Sequence, residues 1–452
     1  MRSLLVSTYE MGRQPFGIAS AAAWLRAAGS DVTCVDVAKE KLPPGALEAA
    51  DLIAFHLPMH TATRLAAPII ATARRVNAAA RICAFGLYAP LNEDWLRSLG
   101  ADAVFGGEFE EDLAAFAGHV RGTQSPQSAQ SKNANALPKI HFLVPDRAGL
   151  PPLSKYATLQ MPDGGRRLVG YTEASRGCRH LCRHCPVVPI YNGSFRVVQQ
   201  EVVLADVDAQ VAAGAQHITF GDPDFFNGPA HAMKIVAALH AKHPGVSYDV
   251  TIKVEHLLRH RGLVPRLAAT GCAFVTSAVE SVDDRVLALF DKGHTRADFV
   301  EAVAWCRAAG VTLVPTFVAF HPWLTLSSYC DLLETIDRLD LVDEVSPIQL
   351  AIRLLLPHGS RLLALDEMRA HVGAFDPETL AYRWSHADPE VDALQRDVMA
   401  MVGTRLTANR RAVFDEVHAL ACARAGLERP AANPRPARDR ATVPYLNEPW
   451  YC

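Results

Sequence analysis

The sequence carries almost no net charge. Its 45 basic residues stand against 48 acidic ones, giving −3 over 452 residues. That balance supplies no long-range attraction to nucleic acid or to an anionic membrane, and no basic stripe stands out, so neither is expected as a partner. Long apolar runs are missing too. No stretch of about eighteen uncharged apolar residues occurs, which excludes an obvious spanning helix. The opening "MRSLLVSTYEMGRQ" lacks the apolar core and small-residue cleavage site of an export signal, and the expected compartment is the cytoplasm. With no export signal, disulfides are not expected. Seven scattered cysteines, Cys34, Cys83, Cys272, Cys306, Cys330, Cys422 and Cys452, are read as small apolar residues, with Cys452 alone as a terminal thiol.

What is present is core-forming material. Half the residues are hydrophobic and 21% are charged, the profile of a soluble globular protein, and the length suits two or three domains. Over residues 1–121, short apolar runs (3–10, 31–38, 51–58, 81–88, 102–108) alternate with helical patterns (17–29, 64–77). This alternation predicts an α/β domain with a doubly wound, Rossmann-like parallel sheet. A linker is expected over 122–164, polar at first ("GTQSPQSAQSKNANALP") and then proline-rich where it wraps a domain junction. A second βα series over 165–360 offers strands at 166–175, 217–225, 246–257, 272–281, 311–320 and 346–356, enough for a partial (β/α)6 barrel. A helical C-terminal region is expected over 361–427, with helices at 389–406 and 410–426. Residues 428–452 form an extended tail rich in proline and arginine.

The remaining three cysteines are bunched. "ASRGCRHLCRHCP" places Cys178, Cys182 and Cys185 on the loop after the first strand of the second series, a C-x3-C-x2-C triplet. Three thiolates do not close a structural zinc site, which takes four ligands, although His180 or His184 could complete one. Soft thiolates equally suit an iron–sulfur cluster, and three of them leave one iron of a four-iron cluster without a protein ligand.

The triplet and its place in the chain resemble the radical S-adenosylmethionine (SAM) superfamily. The resemblance implies a [4Fe-4S] cluster whose fourth iron chelates the amino and carboxylate groups of SAM, and an electron transfer that cleaves the sulfonium to a 5′-deoxyadenosyl radical. It further implies an external electron donor of the flavodoxin or ferredoxin type. "FGDPDF" puts Asp222 where the superfamily holds the SAM amino group; the alternative is an Asp-Pro turn. "SAVES" ends strand four, and its Glu280 matches a position that bonds the SAM ribose. The alternative there is a cap for the following helix. Lys253 and Glu255, placed on strand three, alternate onto one side with Thr251, as SAM contacts or as a rim ion pair. Arg353, on strand six, is set to meet a carboxylate such as that of SAM.

A doubly wound domain ahead of such a barrel is similar to the cobalamin-binding arrangement of B12-dependent radical SAM enzymes. The D-x-H-x-x-G lower-ligand signature is absent, however: the loop after strand one reads "YEMGRQPFG", and His56 and His60 follow strand three instead. The loop after strand one and "GLYAP" (86–90) are expected to line a crevice at the strand ends. Several blocks together ("YEMGRQPFGIAS", "TEASRGCRHLCRHCPVVPIY", "TIKVEHLLRH", "VPYLNEPWYC") resemble the radical SAM proteins named for a Cys-Sec-Ala-Glu-Pro or Cys-Cys-Ala-Glu-Pro tail. In that family "PWYC" continues, whereas this sequence stops at Cys452, and a selenocysteine codon read as a stop is the expectation that follows. A vicinal pair on such a tail would act as a redox couple or as a chelator of a thiophilic element such as arsenic(III). The function expected is reductive SAM cleavage that modifies a small molecule, with an organoarsenical or other thiophilic substrate class. Cobalamin-dependent methyl transfer is the first alternative, and a non-catalytic zinc or Fe-S protein the second.

Overall fold

The first parallel sheet is built from strands with no polar face. In the computed structural model, which describes residues 1–118, 140–429 and 443–447, β1 (Arg2–Ser7), β2 (Asp31–Asp36), β3 (Leu52–His56), β4 (Arg81–Phe85) and β5 (Ala103–Phe105) pair in the order β2-β1-β3-β4-β5. All neighbours run parallel. Every residue of β3 is buried, because helices cover both faces. Val6, Ile53, Phe55 and Ile82 pack into one core, while Leu5, Ala54, Cys83 and Phe85 pack into another. Alternate residues of the same strands thus serve opposite layers. The helix Phe16–Ala27 is rich in alanine, and its near-complete burial at one edge needs such small residues.

The second sheet begins in the segment expected to be a linker. β6 (Thr158–Gln160) runs antiparallel to β7 (Arg166–Thr172), and β10 (His217–Phe220), β11 (Ser247–Thr251), β12 (Cys272–Glu280) and β13 (Thr312–Phe317) follow β7 in parallel. Between β7 and β10 a small antiparallel pair, β8 (Ser175–Gly177) and β9 (Phe195–Val197), brackets the cysteine loop. The five parallel strands and their covering helices make the partial barrel that the second βα series implies. The sixth expected strand is a correction: residues 347–350 form a 3₁₀ turn, and only a single bridge, Phe320 to Arg353, extends the barrel.

The C-terminal region holds the two expected helices, at Pro389–Gly403 and Arg410–Ala425. It also holds a hairpin that the sequence did not announce, β14 (Val372–Asp376) with β15 (Ala381–Trp384). In the tail, β16 (Tyr445–Leu446) is pinned antiparallel on β6. The selenocysteine and thiol expectations for Cys452 lie outside the described residues.

The proline-rich stretch does cross a junction. Arg147 bonds Gln14 Oε1 of the first unit (3.0 Å) and, in the barrel, the Asp206 carboxylate (3.0 Å) and the Tyr171 carbonyl (2.7 Å). Cys34, Cys83, Cys272, Cys306, Cys330 and Cys422 are all buried free thiols. No helix among the described residues is long and apolar enough to cross a membrane.

Candidate active site

Gly177 starts the cysteine loop with φ +77, and a Cβ there would lie 2.4 Å from Tyr191 Cδ1 and 2.5 Å from the Ser194 carbonyl. Only glycine accepts both the left-handed backbone and that approach. The turn delivers Cys178, Cys182 and Cys185 to the carboxyl end of the sheet. Asn227, on the loop after β10, holds the loop's start by accepting the Arg179 N–H (3.2 Å) and donating to the Gly177 carbonyl (3.4 Å). Arg176, just ahead of Gly177, anchors the same flank. Its guanidinium pairs with the fully buried Glu110 of the first unit (2.6 Å) and with Glu173 (2.7 Å).

Two buried lysines face the thiols. Lys253 Nζ donates to Cys182 Sγ at 3.6 Å, and the charge of Lys292 acts on Cys185. Burial nevertheless dominates: it raises Cys178 and pushes Cys185 up to about 12. Thiols this buried ionise when a metal supplies a larger positive charge. The donor set of three soft sulfurs on one short loop, with cations already close, therefore fits an iron–sulfur cluster. The zinc alternative needs a histidine, and both nearby histidines face carboxylates: His184 Nε2 lies 3.1 Å from Glu280 Oε1, and His180 lies 3.5 Å from both Asp224 and Glu255.

Glu280 sits at a bulge where β12 slips against β13, in the left-handed region at φ +70. A non-glycine residue there is strained, and the cost is met by its partners. Burial alone would raise this carboxyl, but Lys292, with Nζ 3.5 Å away, and His184 override it and hold it at about 2. It does not cap the next helix. Asp283 does, accepting the Arg285 N–H at 2.8 Å.

Asp222 is 2% exposed and turned inward. It accepts the Ala174 N–H (2.9 Å) and the Ser175 hydroxyl (2.5 Å), so it clamps the strand that leads into the cysteine loop. Burial outweighs those bonds and pushes it up to about 7. Asp224 takes the turn role instead, accepting the Phe226 N–H at 3.0 Å.

Two placements are corrected. β11 ends at Thr251, so Lys253 and Glu255 do not alternate on a strand: Lys253 caps the helix Val254–Arg259 and Glu255 lies in its first turn. Their ammonium and carboxylate stand 3.6 Å apart. Arg353 is committed elsewhere, to Asp392 (2.7 Å), the Trp384 carbonyl (2.8 Å) and the Trp384 ring (3.5 Å to its centre). Lys292 and the buried His294, whose pKa burial and then Lys292 and Lys253 lower to about 4, went unnoticed in the sequence. "DKGH" carries no spacing signal; only the fold brings it to Glu280.

Two cavities share Arg13 and Gly221 as lining, and the second of them reaches the start of the cysteine loop. One, of about 210 Å³, fills the barrel lumen between Thr219, Thr251, Thr276 and Thr316, and Tyr445 and Leu446 of β16 line its wall. The other, of about 220 Å³, is the expected crevice at the strand ends of the first sheet, where Glu10, Gly17 and Gly86 meet Ser175 and Gly177 of the cysteine loop. His56 borders it, paired with Glu10 at 2.6 Å, and His60 bonds the Thr379 carbonyl.

Residues 172–338 match the family model described as the radical SAM superfamily. Among curated proteins, the chain is 28% identical over 190 residues to tRNA-2-methylthio-N(6)-dimethylallyladenosine synthase of Desulfosudis oleivorans, covering 40% of each chain. It is 26% identical over 151 residues to hopanoid C-3 methylase of Methylococcus capsulatus, covering 33% of this chain and 29% of the other. The chain thus spans well under half the length of these relatives. Among solved structures, it is similar to the radical SAM methyltransferase TsrM of Kitasatospora setae, with a TM-score of 0.69, 15% identity and 88% of both chains covered. It is also similar to the cobalamin-dependent SAM radical enzyme OxsB, with a TM-score of 0.68, 15% identity, 88% of this chain and 66% of the other. At such identities these likenesses establish the fold. The chain carries a radical SAM domain, the module of an enzyme superfamily that works with a [4Fe-4S] cluster and SAM.

Proposed function

We propose that Cys178, Cys182 and Cys185 hold a [4Fe-4S] cluster, that SAM binds beside it, and that reductive cleavage of SAM modifies a small molecule seated in the barrel lumen. The observation that carries this is three thiols, with no fourth protein ligand beside them among the described residues, at the strand ends of a partial barrel with Lys253 and Lys292 facing them. When bound, the cluster supplies the electron that breaks the sulfonium; an external donor of the flavodoxin or ferredoxin type renews it.

The chain's own residues do the rest. Glu280, held ionised by Lys292 and His184, accepts hydrogen bonds from the ribose hydroxyls. Lys253 offers its ammonium to a carboxylate. Asp222 serves by fixing the loop rather than by touching SAM, since both its oxygens are taken. Arg353, bound to Asp392 and Trp384, is left out of the SAM site. The threonine-lined lumen and Glu344, pushed up to about 7 by burial, suit a polar small substrate. The organoarsenical or thiophilic reading rests on the tail's resemblance, and β16 supports it by placing Tyr445 and Leu446 on the lumen wall.

Cobalamin-dependent methyl transfer is the second reading. It is favoured by the crevice that opens onto the cysteine loop and by a fold shared with the cobalamin-dependent enzyme OxsB and with TsrM, whose structure has been solved with cobalamin bound. With His56 on Glu10 and His60 on Thr379, a corrinoid there would be held without a protein imidazole.

The test is anaerobic reconstitution, then electron paramagnetic resonance of the reduced protein with and without SAM. A SAM-dependent change in the signal is expected; zinc on the three thiols in place of iron, or a signal indifferent to SAM, overturns the proposal. Chromatography separates the readings: 5′-deoxyadenosine or methylthioadenosine marks reductive cleavage, and S-adenosylhomocysteine together with corrinoid absorbance marks methyl transfer.

A further inference from the structure

Three loops at the carboxyl end of the sheet each send one side chain to a common point that the SAM site does not use. His180 comes from the cysteine loop, Asp224 from the loop after β10, and His256 from the helix after β11. Their ligand atoms all lie within 4.8 Å of one another. His256 Nδ1 is 2.8 Å, and His180 Nε2 3.5 Å, from the same oxygen, Asp224 Oδ2. Asp224 is fully buried and His256 is 4% exposed. Yet none of these three atoms has a hydrogen-bond partner of acceptable alignment. Buried polar atoms whose contacts with one another lack hydrogen-bond alignment cost free energy, and native proteins seldom leave three pointing together.

A metal ion accounts for the convergence. Ligands about 2.1 Å from a zinc-class ion stand about 3.0–3.4 Å apart, a range that the observed 2.8 and 3.5 Å bracket. The outer groups are also those of a metal site. The second oxygen of Asp224 accepts the Phe226 N–H at 3.0 Å, and Glu255 Oε2 stands 3.5 Å from the other nitrogen of His180. Such partners orient ligating carboxylates and imidazoles. We propose that His180, Asp224 and His256 form a mononuclear site for a divalent first-row metal of the zinc class, separate from the three-thiol site. Two imidazoles and one carboxylate select borderline ions and leave a coordination position open. Because His180 lies between Cys178 and Cys182, the ion would tie the cysteine loop to the loops after β10 and β11.

The inference does not depend on the SAM chemistry, and its test keeps the two apart. Full-length protein reconstituted anaerobically with iron and sulfide, then dialysed against equimolar zinc, is assayed for both metals by mass spectrometry. About one zinc per chain is expected beside the iron. D224N and H256Q should keep the iron while their zinc affinity falls at least about tenfold. In a C178A/C182A/C185A background, cobalt(II) added alone should give d–d bands without sulfur charge transfer, lost on adding H256Q. Circular dichroism checks that each variant is folded. The proposal is overturned if wild-type protein retains no more zinc than D224N, or if the triple cysteine variant binds no cobalt.

Discussion

Two carboxylates at strand ends of one sheet, on either side of β11, are held in opposite states. Glu280, after β12, sits at about 2, and Asp222, after β10, at about 7. Burial is nearly the same at 8% and 2% exposed, so burial cannot be what separates them. The partners do. Glu280 meets a buried ammonium and an imidazole, whereas Asp222 meets a backbone N–H and a hydroxyl, which stabilise an anion too weakly to offset desolvation. The first environment holds a charge; the second holds a carboxyl that protonates more readily than an exposed one and serves as a structural clamp.

Both carboxylates matter only if the loop between them is a cluster site, so the largest effect tests that premise. Replacing any one of Cys178, Cys182 and Cys185 with alanine should abolish the iron–sulfur absorption of reconstituted protein and all SAM cleavage. A variant that keeps full iron and sulfide content would break the comparison at its root.

Glu280→Gln comes next. It leaves Lys292 buried beside a neutral amide, a loss of about 3–5 kcal/mol in urea unfolding, and it should weaken SAM binding at least about tenfold in equilibrium dialysis. Lys292→Met should cost stability on the same scale by stranding Glu280. If neither variant loses more than about 1 kcal/mol, the pair is not the device described.

The pH dependence separates the two carboxylates by sign. The folded pKa of Glu280 is depressed, so its contribution is full above its ordinary value of 4.5 and is lost as pH falls towards about 2. Asp222 is raised, so its contribution is full below 3.8 and is lost as pH rises through about 7. Unfolding free energy measured across pH should show both slopes, the acidic one missing in E280Q and the neutral one missing in D222N.

The smallest effect is expected from Asp222→Asn itself. An amide reproduces the protonated acid, so below about pH 4 stability should change by less than about 1 kcal/mol, at neutral pH the variant should be the more stable, and SAM affinity should stay within about threefold. A large loss of SAM affinity in this variant alone would return Asp222 to the SAM site.

Much of this was legible in one dimension. The βα alternation gave both parallel sheets because a strand buried on two faces must be apolar throughout and must be followed by a covering helix. The cysteine triplet was legible as a candidate ligand set because its residues are local, spaced by the turn itself. The errors lay where local pattern met tertiary context. "VSYDVTIKVEHL" has strand-like alternation, yet packing ends β11 at Thr251 and starts a helix at Val254. "SPIQLAIRLLL" is apolar enough for a strand but has only Phe320 to pair with.

What the sequence determined by itself was therefore the fold class and the three thiols, since period and spacing are carried by adjacent residues. What only the tertiary structure decided was which charges meet. Lys292 reaches Glu280, His180 and His256 reach Asp224, and Asp222 turns inward, because side chains from loops after different strands converge only once the sheet has curled. Electrostatic state depends on distances of a few ångströms, and those distances exist only in the folded chain.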